Sequence, residues 1–154
     1  PFLLEGLVRT PMLVSGPGIK GNGRISSALT SHVDIMPTLL DLAGVEQPKG
    51  VEGKSFKNLL QGKTDVFRDR VLVEFLHQFQ FDRNMKSIVN DRWKIIYWGG
   101  QSYGELYDLS NDPKECNNLW DDPDHCEIRN CLLLEILEEL VQTENVLPLP
   151  TAAT

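Results

Sequence analysis

Ser31-His32-Val33-Asp34-Ile35-Met36-Pro37-Thr38-Leu39-Leu40-Asp41-Leu42-Ala43-Gly44 is the stretch whose reading decides the fold. Ile35, Leu39 and Leu42 form one apolar row at helical spacing and Met36, Leu40 and Ala43 a second, leaving only Thr38 and Asp41 polar. The pattern predicts a helix over 34–43 that is covered on most sides. Ser31 or Asp34 can cap its start, Pro37 sits in the first turn where a missing N–H removes no helical bond, and Gly44 supplies the left-handed position after the last turn. Upstream, Thr10 to Ser15 is a short apolar run opened by Pro11 and closed by Gly16-Pro17-Gly18, the pattern of a buried strand ending in a tight turn. Strand, glycine-bearing loop and buried helix make one unit of an α/β sandwich.

The 154 residues carry a formal charge of −7, which argues against an electrostatic grip on nucleic acid or on an anionic membrane surface. The longest apolar run falls far short of the roughly 20 residues that a membrane span needs. Pro1-Phe2-Leu3-Leu4 is apolar but lacks a basic flank and a small-residue cleavage site, so it does not read as a secretory signal; the chain opens as if in mid-domain, and its compartment stays open. Cys116, Cys126 and Cys131 have no Cys-x-x-Cys spacing and no clustered histidines, which disfavours zinc and leaves three thiols, or one disulfide with a spare thiol.

Downstream, 45–69 is polar and punctuated by Pro48, Gly50, Gly53 and Gly62, a connecting arm with a short helix from Ser55 to Leu60. Gly53-Lys54-Ser55 is not a phosphate-binding loop, because Pro48 stands where the first glycine is required. Val71 to Leu76, Met85 to Val89, Trp93 to Trp98 and Glu105 to Leu109 read as four strands, with Asn90-Asp91-Arg92 and the Gly99-to-Gly104 reversal turning the chain. Ser110 to Glu115 forms a turn with Leu119-Trp120 packing back under it, and Asp121-Asp122-Pro123-Asp124 supplies a break and an N-cap. From His125 to Glu144, Ile128, Leu132, Ile136 and Leu140 make one apolar row, widened by Leu133, Leu137 and Val141. The expected organisation is therefore 1–44, the end of a larger α/β domain; 45–69, the arm; 70–145, an antiparallel sheet plus helix; and 146–154, a loose tail.

Two blocks carry a resemblance. Glu5-x-x-x-Arg9-x-Pro11, the apolar run, Pro17-Gly18 and the quoted stretch resemble the close of the catalytic domain in the type I sulfatase family of the alkaline phosphatase superfamily. Glu105-Leu106-Tyr107-Asp108-Leu109-x-x-Asp112-Pro113-x-Glu115-x-x-Asn118-Leu119 resembles the small C-terminal subdomain of the same family. The resemblance implies the last strand–helix unit of an α/β sandwich followed by a small α+β subdomain, a four-stranded antiparallel sheet with a long C-terminal helix. It implies a full-length enzyme that cleaves sulfate esters, of small molecules or glycans, with a formylglycine nucleophile and Ca2+, in a periplasmic, secreted or lysosomal setting.

This sequence departs from that chemistry. None of its three cysteines is followed by Pro-Ser-Arg, so no nucleophile is carried over, and the ligands of the cation would lie in a missing N-terminal part of the same enzyme. The 154 residues alone are expected to be inactive and to expose apolar surface. His32, beside the start of the helix, and His77, at the end of a strand, are the candidate substrate-binding residues, both facing one cleft in this reading. Each has a plain alternative, a backbone hydrogen bond for His32 and a surface loop for His77. Arg9 reads as a structural ion pair or backbone anchor, and Trp93, Tyr97, Trp98 and Tyr103 as core or sugar-stacking aromatics. A phosphodiesterase or phosphonate monoester hydrolase of the same superfamily is the alternative substrate reading. A non-catalytic glycan-binding module is the alternative from another class.

Overall fold

The structure, a computed structural model, describes residues 3–21, 23–77 and 83–144, without the side chains of His77, Arg83 and Glu144. The described residues form two compact units, 3–13 with 69–138 and 14–68 with 139–144.

The first unit is an antiparallel meander of β1 (Arg70–His77), β2 (Arg83–Asn90), β3 (Trp93–Trp98) and β4 (Gly104–Asp108), neighbours in that order. The β2–β3 turn is closed by the Asn90 side chain, which accepts from the backbone N–H of Arg92 at 3.0 Å and of Trp93 at 2.6 Å. Register then decides the faces: Ile88 opposite Ile95 and Ile95 opposite Leu106 place three buried residues on one side, while Met85, Ile96 and Tyr107 line the other. Both faces are therefore apolar, and each needs a cover.

A long helix covers one of them. It is preceded by a 3-10 turn, Pro123–His125, where Asp122 accepts from the Asp124 N–H at 2.9 Å as the N-cap expected from this aspartate run. The long helix, Cys126–Glu144, buries Leu132 and Ile136, and Arg70 of β1 reaches its Glu138 at 3.1 Å and Glu135 at 3.8 Å. Its buried stripe is narrower than the sequence row, because Leu137 and Val141 remain exposed. The outer edge of β4 is closed by the next segment: Leu119 N–H donates to Leu106 O at 2.8 Å, and Asn118 bridges the Leu106 N–H and the Gly104 carbonyl. Trp120 follows, buried against Gly104 so closely that a Cβ there would stand 2.3 Å from its ring.

The opposite face is covered by the chain's own beginning. Glu5–Val8 is a short helix, α1, and Leu3, Leu4 and Val8 pack on Met85, Ile96 and Tyr107. The strand expected at Thr10 to Ser15 does not form. An apolar run becomes a strand only with a ladder partner, and these residues have none among the described residues; Leu13 is 99% exposed.

In the second unit, α2 (Ile35–Ala43) follows a 3-10 turn at His32–Asp34 and ends as read, with Gly44 at φ 70° and Val45 N–H donating to Leu40 O at 2.9 Å. Only Pro37 and Thr38 of the helix are buried; Met36 is exposed and Leu39 is 61% exposed. The cover expected on most sides is thus missing on these rows, because the described chain packs on one side only. There Thr38 Oγ1 donates to Asp34 O at 2.6 Å and accepts from the Phe56 N–H at 3.0 Å. The short helix α3 (Lys57–Leu60) follows Phe56, whose ring meets Phe67 edge-on at 5.9 Å.

Gly104→Ala should lower stability by about 1–3 kcal/mol, the usual range for forcing atoms into a packed site. Gly6→Ala, with nothing within 4 Å of its Cβ position, should be neutral or stabilising. Denaturant midpoints measure both, and an unchanged midpoint for Gly104→Ala would contradict the Trp120 contact.

Candidate functional site

In the second unit the sequence points to His32, and the structure places it, exposed, at the start of the 3-10 turn. Its neighbour Asp34 is fully buried and organises the region. The Asp34 carboxylate accepts from Ser31 N–H at 2.9 Å, Lys54 N–H at 2.9 Å and Arg68 Nε at 2.8 Å, with a second bond from the Arg68 guanidinium. Burial opposes its ionisation, but the Arg68 guanidinium and the two backbone N–H groups more than offset that, holding the carboxyl below its ordinary range. Gly53 is needed beside it, since a Cβ would stand 1.9 Å from Val33 O. The carboxylate nearest the helix start is therefore a fixed internal anchor, and His32 is the group left facing outward.

In the first unit one end of the sheet gathers the other candidates. His77 closes β1 opposite Arg83, Trp98 closes β3 opposite Met85, and Gly104 opens β4 opposite Tyr97, so all lie at the same end. The His77 side chain lies outside the described residues. Glu105, buried, accepts from Tyr107 Oη at 2.8 Å, Trp98 Nε1 at 3.2 Å and Tyr103 Oη at 3.4 Å. Burial, and then the Glu105 carboxylate, push the Tyr103 and Tyr107 hydroxyls above their ordinary value, so both stay protonated donors.

Sequence reasoning missed the most deeply buried cation. Lys94, fully buried in β3, lies 3.1 Å from Glu5 Oε1 and 2.9 Å from Glu115 Oε1, the latter an ion pair outside hydrogen-bond alignment. Glu115 also accepts from the Glu5 N–H at 2.6 Å, from a backbone held at φ 55°. Arg9, read as a structural ion pair or backbone anchor, is exposed, and Glu5 is the residue of this segment that pairs with Lys94. A lysine inside Trp-Lys-Ile-Ile-Tyr-Trp was the available signal, because a charge in a strand covered on both faces requires partners.

Residues 1–143 match the family described as N-sulphoglucosamine sulphohydrolase, C-terminal. The chain belongs to that family. It is 34% identical over 139 residues to an arylsulfatase of Clostridium perfringens, covering 88% of this chain and 28% of that protein. Among solved structures it is similar to BT1596, a 2-O GAG sulfatase, with a TM-score of 0.77 and 27% identity, covering 85% of this chain and 29% of that one. It is also similar to the phosphonate monoester hydrolase of Agrobacterium radiobacter, with a TM-score of 0.63 and 26% identity, over 71% of this chain and 24% of that one. The chain thus spans less than a third of the length of these proteins.

The cation and nucleophile of the sulfatase resemblance find no fit in the described residues. No three of His, Cys, Asp and Glu gather into a metal site there, and the buried carboxylates Asp34, Glu105, Asp108 and Glu115 already have donors or cations of the chain's own. Cys116, Cys126 and Cys131 are free thiols.

Asp108 accepts from Arg92 Nη2 at 2.8 Å and Asn111 Nδ2 at 2.9 Å, and the Arg92 guanidinium is the main cause holding its carboxyl at about 2, against an ordinary 3.8. A lowered folded value means that the stabilisation is complete above 3.8 and is lost as pH falls toward 2; Asp34 acts in the same direction. The thermal midpoint should fall across that window, and Asp108→Asn should make the fall shallower. An equal fall in wild type and variant would contradict the assignment.

Proposed function

We propose that this chain is the C-terminal part of a sulfate ester hydrolase acting on a sulfated sugar, and that it walls the substrate cleft while the rest of the protein supplies the nucleophile. The family match over nearly the whole chain carries the proposal. The free cysteines, none in a Cys-x-Pro-Ser-Arg setting, and the engaged carboxylates support the division of labour. So does the exposed apolar surface at Leu13, Met36 and Leu39, which suits a chain meant to be covered by further polypeptide. In the whole enzyme, formylglycine would supply the attacking oxygen and calcium would stabilise charge on the sulfate, both held outside these residues.

His32 in the second unit and His77 in the first are each proposed as a substrate contact, since an imidazole can donate to a sulfate oxygen or a sugar hydroxyl. The similarity to a phosphonate monoester hydrolase supports a second reading, in which the ester is a phosphonate.

Sulfate release from N-sulfoglucosamine and from an aryl sulfate, and cleavage of a phenyl phosphonate monoester, test these readings on the whole protein and on the 154 residues alone. Turnover of the sulfate esters by the whole protein only is expected. Sulfate release by the chain alone would overturn the division of labour, and preferred phosphonate cleavage would favour the second reading. His32→Ala or His77→Ala should raise KM about tenfold, the worth of one charge-assisted hydrogen bond, at unchanged unfolding midpoint. An unchanged KM would remove that residue from the cleft.

A further inference from the structure

Tyr103 is an aromatic ring whose placement core packing does not explain. It stands in the reversal between β3 and β4, 48% exposed, with its ring 5.8 Å from that of Trp98 and tilted by 56°. Its hydroxyl and the Trp98 indole share the buried Glu105 carboxylate, which Tyr107 also engages. One carboxylate thus orients the tyrosine from below while leaving about half of it in water. Other aromatics of this unit are capped by cations: Arg92 lies 4.8 Å over the Trp93 ring and Arg129 5.3 Å over Trp120. Tyr103 has no such cap among the described residues, and nothing stands within 4 Å of a Cβ built at Gly100 in the same turn.

We propose that Tyr103, oriented by Trp98 and Glu105, is a stacking subsite for a pyranose ring, an inference that rests on the sulfated-sugar reading above. The C–H face of a pyranose is apolar and slightly positive, and the tyrosine face carries the complementary negative quadrupole. A rigid, half-exposed tyrosine offers that contact at little conformational cost. Glu105 is 3% exposed and its donors Tyr103, Trp98 and Tyr107 carry no formal charge, so they leave its negative charge in place, which disfavours an anionic group directly on this ring. With no cation on the ring among the described residues, the subsite takes the uncharged ring of the sugar, and the sulfate group is held elsewhere. The placement suits that role, since the turn lies at the sheet end where β1 finishes at His77.

The test is NMR titration of the 154-residue chain with N-sulfoglucosamine, N-acetylglucosamine and inorganic sulfate. Saturation transfer from tyrosine ring protons to sugar C–H protons is expected for both sugars, and inorganic sulfate should leave the Tyr103 ring signals unmoved. Tyr103→Ala should weaken sugar binding about tenfold, whereas Tyr103→Phe, which keeps the ring, should change it by no more than about twofold. Sugar bound equally by wild type and Tyr103→Ala, or no sugar contact at Tyr103, overturns the subsite. Sugar held by Tyr103 in a protein whose whole form releases no sulfate supports the subsite and overturns the hydrolase reading. Sulfate release with KM unchanged by Tyr103→Ala does the reverse.

Discussion

The sheet unit depends on a lysine ammonium buried where water does not reach it. An unpaired cation at Lys94 would be prohibitively unfavourable, so the fold has to bring carboxylates to it. One comes from Glu5 in α1 and the other from Glu115 in the turn after β4, two segments far apart in sequence. Glu115 adopts a left-handed backbone to do this, a conformation that costs a non-glycine residue about 1–2 kcal/mol. The same side chain binds the first N–H of α1, so one carboxylate both neutralises the lysine and fixes the incoming chain.

Several features follow from that clasp. It seats Leu3, Leu4 and Val8 on the sheet face that the long helix Cys126–Glu144 does not cover, which closes the core around Met85, Ile96 and Tyr107. The same face carries the second buried carboxylate, Glu105, from which the Trp98, Tyr103 and Tyr107 donors take their orientation. A rigid sheet end with oriented aromatic groups is suited to shaping a ligand. The wall-forming part proposed above for this chain draws on that sheet end.

Local pattern made much of this fold legible. The four strands, the capped 3-10 turn that leads into the long helix and the left-handed stop at Gly44 follow from alternation, turn residues and caps, all of which act over a few residues. The strand expected at Thr10 to Ser15 failed because pairing depends on a partner that pattern cannot supply. Arg68 and Asp34, 34 residues apart, and Lys94 and Glu5, 89 apart, could not be joined from spacing. His32 and the aromatic turn were visible as residue types, whereas the Glu105 anchor beneath Tyr103 needed the register of β3 and β4.

Lys94→Met, examined by thermal unfolding together with amide exchange at Leu7 and Val8, tests the clasp most directly. Those amides donate to Leu4 O at 2.8 and 3.1 Å and are protected only while α1 is seated. Removing the cation while leaving both carboxylates should destabilise the unit by about 3–5 kcal/mol and abolish that protection. A variant with the wild-type midpoint and wild-type protection would show that the lysine does not hold the sheet and the opening segment together.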